Sequence, residues 1–189
     1  MNEAPGVGWS DEQIMHRVRA GEVSLASLLF DRHHRRLYRF CWRMTGRAQL
    51  SEDLVQEVFL RLLRHRETFR EGNLFTPWIF SIARNVHHDG WRKHRRETAL
   101  DDGAPFPAAP DAAPLERREE LERLEHAMAA LPGDQRELLV MHRYAGLSHA
   151  EIASVFGCEE GTSRARLHRA LNALREIYFT SERRRLHEL

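Results

Sequence analysis

Arg164, Arg166, His168 and Arg169 crowd into six consecutive positions of the stretch Leu147 to Tyr178. Guanidinium groups donate in a planar fork that suits phosphate oxygens and the edge of a guanine, so the chemistry on offer is recognition of nucleic acid. At about 100° per residue from Thr162, the apolar Leu167, Ala170, Leu171, Leu174 and Tyr178 fall on one side of a helix. Ala165, His168, Arg169 and Asn172 fall opposite, with Arg164 and Arg166 at the two edges. A helix seated in a major groove needs a middle stripe that reaches bases and flanking cations that meet the phosphate walls. A solvated basic face on a core helix would carry the same arginines, so the preceding residues matter.

Those residues punctuate a helix-turn-helix. Ser148 and Glu151 have capping-box spacing, Ile152, Ala153 and Phe156 give a short helix its apolar side, and Gly157 can take the positive φ that ends it. Thr162 is the expected cap of the longer helix. Upstream, Leu115 to Leu131 reads as an amphipathic helix with Leu121, Leu124, Met128 and Leu131 inward. Pro132-Gly133-Asp134 turns a corner, and Gln135 to Ala145 supplies a supporting helix.

A second set of candidate groups lies earlier. Thr76 and Pro77 read as the cap and first turn of a helix running to about Arg96, whose buried side is Trp78, Ile79, Ile82, Ala83 and Val86. Its far side presents Ser81, Arg84, His88, Trp91, Arg92 and Arg95, with Asn85 at the edge. Cations, an amide and an indole can grip a sugar-phosphate backbone and an unstacked base, although a surface tryptophan can equally rim a domain contact. A third set, Glu52, Asp53, Gln56 and Glu57, lies beside the apolar stripe Leu54, Val55, Val58, Phe59, Leu62 and Leu63 of a helix expected to begin at Ser51. Acids near a helix start complement its dipole; the alternative is an acidic docking face for a protein. Two further helices precede it, one capped by Ser10 with Gln13 and ended by Gly21, the other from Val23 to about Thr45 and broken by Gly46.

Charge is segregated rather than large. The 189 residues carry a net charge of +1, yet five arginines and lysines stand between Arg84 and Arg96, and none between Glu97 and Asp111. Glu97 to Pro114, rich in proline, alanine and acid, neither sustains a helix nor supplies a core; extended, it would reach roughly 60 Å. Cys41 and Cys158 show no ligand spacing, which suits a reduced cytoplasmic chain. No two of the 12 histidines are three or four apart, and the neighbours His33-His34 and His87-His88 diverge on a helix, so no metal site and no cofactor are expected. No apolar run approaches membrane-spanning length, and no phosphate loop or nucleophile motif points to an enzyme.

Together these segments resemble the extracytoplasmic-function sigma factors of bacterial RNA polymerase. The telling stretches are Glu52 to Leu62, Trp78 to Asn85, and Leu131-Pro132 through Arg169, in that order and separated by a short acidic linker. The resemblance implies an all-α chain of two small helical domains joined by a flexible linker: residues 10–96, linker 97–114, and 115–180 with the helix-turn-helix. It implies that Glu52, Asp53, Gln56 and Glu57 dock on core RNA polymerase, which favours the docking alternative over the dipole. Asn73, Arg84, Asn85 and His88 would capture non-template bases of the minus-ten element, with Arg92, Lys93, Arg95 and Arg96 on the phosphates. Thr162, Arg164, Ala165, Arg166, His168 and Arg169 would meet the duplex minus-thirty-five element, and an anti-sigma factor would control the whole. Ser163 departs from the aliphatic residue usual there, and Ala165 and His168 depart from usual readout residues, so the promoter sequence does not transfer from relatives. A dimeric helix-turn-helix regulator would explain Leu147 to Tyr178 but leave the Glu52 and Trp78 segments without a role.

Overall fold

The computed structural model describes the backbone of residues 8–97 and 115–187 and the side chains of residues 8–90 and 120–180. All regular elements among these are helical. The first half holds α1 (Asp11–Arg19), α2 (Ala26–Thr45), α3 (Ala48–Arg64) and α4 (Phe75–Glu97), with single 3-10 turns at Val23–Leu25 and Arg66–Thr68. The second holds α5 (Leu115–Ala129), α6 (Gly133–Arg143), α7 (His149–Phe156) and α8 (Glu160–His187). The expected linker lies, past Glu97, outside the described residues.

Local signals explain most boundaries. Ser10 and Ser148 each close a full capping box, with Gln13 and Glu151 returning the hydrogen bond. Gly46 ends α2 at φ 68° and Gly157 ends α7 at φ 61°, the left-handed region where a side chain costs energy.

Three expected caps fall inside helices instead. α3 begins at Ala48, and Ser51 is buried one turn in, its Oγ donating to the Arg47 carbonyl at 2.7 Å and bonded to Thr45 Oγ1 at 2.9 Å. α4 begins at Phe75 rather than after Thr76, because Glu12 of α1 accepts from the Phe75 N–H at 3.0 Å and does the capping from afar. α8 begins at Glu160, which puts Thr162 on its exposed first turn.

Packing follows the apolar stripes. α2 and α3 lie against each other and α4 closes over both; α8 receives α5, α6 and α7. Phe40, Phe69, Phe75 and Phe80 are wholly buried in the first half, where each contributes about 1.5–3 kcal/mol of transfer free energy. Free Cys41 is buried among them, and burial pushes its thiol up to about 12. In α8 the inward stripe is Ser163, Leu167, Ala170, Leu174 and Ile177; Leu171, expected inward, is 46 % exposed. Leu167, Ala170 and Leu174 keep the expected stripe, which is centred toward Ser163 and so leaves Leu171 outside its edge.

The two halves also touch: α4 meets α7, and α2 meets α6. Arg36 Nε donates to the carbonyl of Ala145, just past the end of α6, at 2.8 Å, and the Arg43 guanidinium lies 4.3 Å over the Tyr144 ring.

Candidate nucleic-acid interface

The exposed basic face of α8 is set by α7 and the corner that follows it. Gly157 turns the chain, Leu167 and Ala170 bury one side of α8 against the bundle, and the opposite side is left to solvent. Thr162, Arg164, Ala165, Arg166, His168 and Arg169 are all exposed. Arg164 pairs with Glu160 one turn back at 2.6 Å, and His168 Nδ1 lies 3.3 Å from Asn172 Nδ2. The expected six thus share one solvent face, with Arg166 and Arg169 also bordering a cleft of about 480 Å³ shared with Arg84 and Phe156.

The α4 face is occupied rather than bare. Arg84 Nε donates to Glu137 Oε2 of α6 at 2.8 Å, its guanidinium lies 4.7 Å over the Phe156 ring of α7, and His88 Nε2 is hydrogen-bonded to Glu137 Oε1. Asn85 remains exposed, and Asn73 is half-buried on the turn made by Gly72 at φ 83°. Arg92, Lys93, Arg95 and Arg96 continue α4, but their side chains lie outside the described residues, as does that of Trp91.

Glu137 and Phe156 were not foreseen as partners of these groups. Glu137 reads in sequence as another acid near a helix start; only tertiary packing makes it 1 % exposed and surrounds it with cations. Burial alone would raise its carboxyl, but the His87 ring and the Arg84 guanidinium outweigh burial and hold it below the usual carboxylate range. The expectation that His87 and His88 diverge is also corrected, since both rings reach Glu137 from the facing helix.

On α3, Glu52, Asp53 and Gln56 are exposed, whereas Glu57 is half-buried. Glu57 accepts from Arg61 at 2.8 Å and lies 3.7 Å from Arg64, and Arg61 also reaches Asp89 of α4 at 2.7 Å. Those two hydrogen bonds raise the Arg61 pKa, and the one to Asp89 fastens α3 to α4. Glu52 and Gln56 border a groove between α2 and α3 with Arg35, Tyr38, Arg39 and Trp42.

Two helical bundles, the second ending in a helix-turn-helix with an exposed basic face, have the architecture of a DNA-binding protein. The sigma-70 region 2 model matches residues 29–97 and the sigma-70 region 4 model residues 121–174. The chain is 36% identical over 168 residues to RNA polymerase sigma factor CarQ of Myxococcus xanthus, covering 86% of this chain and 94% of that one. It is 36% identical over 165 residues to ECF RNA polymerase sigma factor SigL of Mycobacterium tuberculosis, covering 82% and 90%. The fold is similar to that of sigma factor RpoE solved with the anti-sigma factor NepR from Bartonella quintana, with a TM-score of 0.58, 24% identity and 87% and 91% coverage. The chain belongs to the extracytoplasmic-function sigma factors: it binds core RNA polymerase and directs promoter-specific initiation of transcription. Among the described residues no helix is long and apolar enough to cross a membrane.

Proposed function

We propose that the work of promoter recognition is divided among three helices of this chain. The exposed Glu52, Asp53 and Gln56 of α3, with Glu57 at their edge, dock on a basic surface of core polymerase. Asn73, Arg84, Asn85 and His88 hold single-stranded bases of the minus-ten element, and Arg92, Lys93, Arg95 and Arg96 hold its phosphates. Arg164, Arg166, His168 and Arg169, with Thr162 and Ala165, lie against the minus-thirty-five duplex. The observation that carries this is the uniformly exposed basic face of α8 set immediately after the left-handed turn at Gly157. Melting a base step costs a few kcal/mol, which the α4 pocket and polymerase contacts offset. The chain itself makes and breaks no bond; synthesis belongs to the polymerase, in the cytoplasm.

The closed arrangement is a resting state. With Arg84 and His88 held by Glu137, these two side chains are not available to a DNA strand, and the cleft that joins Arg84, Arg166 and Arg169 brings groups for two promoter elements to one place. Engaging both elements therefore requires α4 and α6 to part. An anti-sigma factor would act on this equilibrium, a reading supported by the complex that the similar sigma factor RpoE makes with NepR. Run-off transcription with reconstituted holoenzyme on a promoter library tests the assignment: Arg84→Ala should lose open complexes, and Arg169→Ala should change which upstream sequences are selected. Unaltered selection after Arg169→Ala would remove α8 as the reader.

A further inference from the structure

Three donor atoms from two helices converge where the halves meet. Nδ1 of His87 and Nε2 of His88 come from α4, Oε1 of Glu137 comes from α6, and all lie within 4.8 Å of one another. We propose that they form a site for one divalent transition ion, best matched by Zn²⁺, which ties α4 to α6 and holds the chain closed.

Consecutive residues on a helix point about 100° apart. His87 and His88 nevertheless meet one oxygen, because His87 offers its near nitrogen and His88 its far one. His87 Nδ1 is buried, lies 3.5 Å from Glu137 Oε1 and makes no hydrogen bond. A buried ring nitrogen left without a hydrogen bond is costly, and an ion between it and the carboxylate would remove that cost. Glu137 is already aimed: its other oxygen accepts from Arg84 Nε at 2.8 Å, the kind of outer hydrogen bond that fixes a ligating carboxylate.

Two imidazole nitrogens and one carboxylate oxygen are donors that suit zinc, while calcium and magnesium prefer oxygen throughout. Zinc bonds of about 2.0–2.2 Å set tetrahedral donors about 3.3–3.6 Å apart, so through side-chain rotation the widest pair must close by roughly 1 Å and His88 Nε2, now hydrogen-bonded to Glu137 Oε1, must draw back by a similar amount to admit the ion. The fourth position is open to Asp134, one turn before Glu137 on α6, which lines the same cavity of about 520 Å³, or to water. Arg84 and Arg136 also line that cavity, and their charge opposes a dication. The affinity should therefore be on the order of micromolar rather than that of a structural zinc finger. That clamping opposes promoter opening rests on the assignment of α4 to the minus-ten element; binding of the ion does not.

The full chain, stripped of metal, is titrated with zinc chloride against a colorimetric chelator, and its fold is checked by circular dichroism. One ion per chain is expected, with at least tenfold weaker binding in His87→Phe, which keeps a ring beside Phe40, and in Glu137→Gln. The absence of binding below about 100 μM, or binding unchanged in His87→Phe, would overturn the site and leave an ion-pair contact only. Zinc-loaded holoenzyme should then capture a single-stranded minus-ten oligonucleotide about tenfold more slowly than holoenzyme made with metal-free chain, with no difference for His87→Phe; equal rates for the unsubstituted chain would overturn the clamp. If Arg84→Ala holoenzyme captured a minus-ten strand normally, the assignment of α4 would fall while the ion titration stood.

Discussion

Glu12, in the first turn of α1, accepts a hydrogen bond at 3.0 Å from the backbone N–H of Phe75, the first residue of α4. The helix that carries the proposed minus-ten contacts is thus capped by a side chain 63 residues earlier in the chain. Burial works to raise the Glu12 carboxyl, but this bond and others keep it lowered. Glu12→Ala should cost about 1 kcal/mol, as loss of a capping group does, and should expose the first amides of α4 to hydrogen exchange. Urea unfolding of the variant beside the unsubstituted chain measures it; an unchanged midpoint would show that Thr76 suffices as the cap.

The Asp11 carboxylate joins α1 to α2 through Arg32 at 2.8 Å and His33 Nε2 at 2.6 Å, while the buried His33 Nδ1 has no hydrogen-bond partner. Burial keeps His33 below its usual 6.5, so it sits neutral and donates. Burial pushes the other way on Asp11, but the bonds from Arg32 and His33 prevail and hold it below 3.8. For both groups the unfolded chain binds more protons between the folded and unfolded values, so stability falls as pH falls. The loss should begin below about pH 6.5 with His33 and resume below about pH 3.8 with Asp11. Urea midpoints at pH 7.5 and 5.5 should differ for the unsubstituted chain and converge for His33→Leu.

Ser163 is fully buried in α8, and its hydroxyl has no hydrogen-bond partner. Removing an unsatisfied polar atom while improving helix propensity should stabilise the second half, and Ser163→Ala is expected to gain about 0.5–1 kcal/mol. Thermal unfolding reads this directly. A lower midpoint would mean that the hydroxyl is bonded after all.

Arg166 and Arg169 share an exposed face yet should behave differently on DNA. Arg166→Ala, at the edge, should weaken binding to all sequences and reduce the slope of log affinity against log salt by about 1. Arg169→Ala, in the middle stripe, should cost about 1–3 kcal/mol on preferred upstream sequences and little on others. Titrations of holoenzyme on matched and scrambled upstream duplexes at several salt concentrations separate the two; parallel losses would assign both to the backbone.

The all-helical architecture was legible because its signals are local. Ser10 with Gln13 and Ser148 with Glu151 carry their caps within four residues, and Gly46 and Gly157 stop helices wherever they stand. Ser51, Thr76 and Thr162 misled because a good capping residue works equally well inside a first turn, and at Phe75 the cap comes from Glu12 across the bundle. The α8 face survived a misplaced stripe: Leu171 was wrongly turned inward, yet the charged positions are exposed either way. What sequence could not give is the meeting of Arg84, His87 and His88 with Glu137, since no periodicity within α4 or α6 encodes which helix the other will face.

The depth of Cys41 has a practical corollary. A thiol held at about 12 and sealed inside the first bundle cannot form its reactive anion at neutral pH, whereas Cys158, just past the corner of the helix-turn-helix, is part-exposed. Alkylating reagent should mark the second site promptly and the first only when the amino-terminal bundle comes apart. The chain thus carries its own stopwatch for opening: the lag between two mass increments distinguishes halves that merely swing away from each other from a first half that has lost its interior.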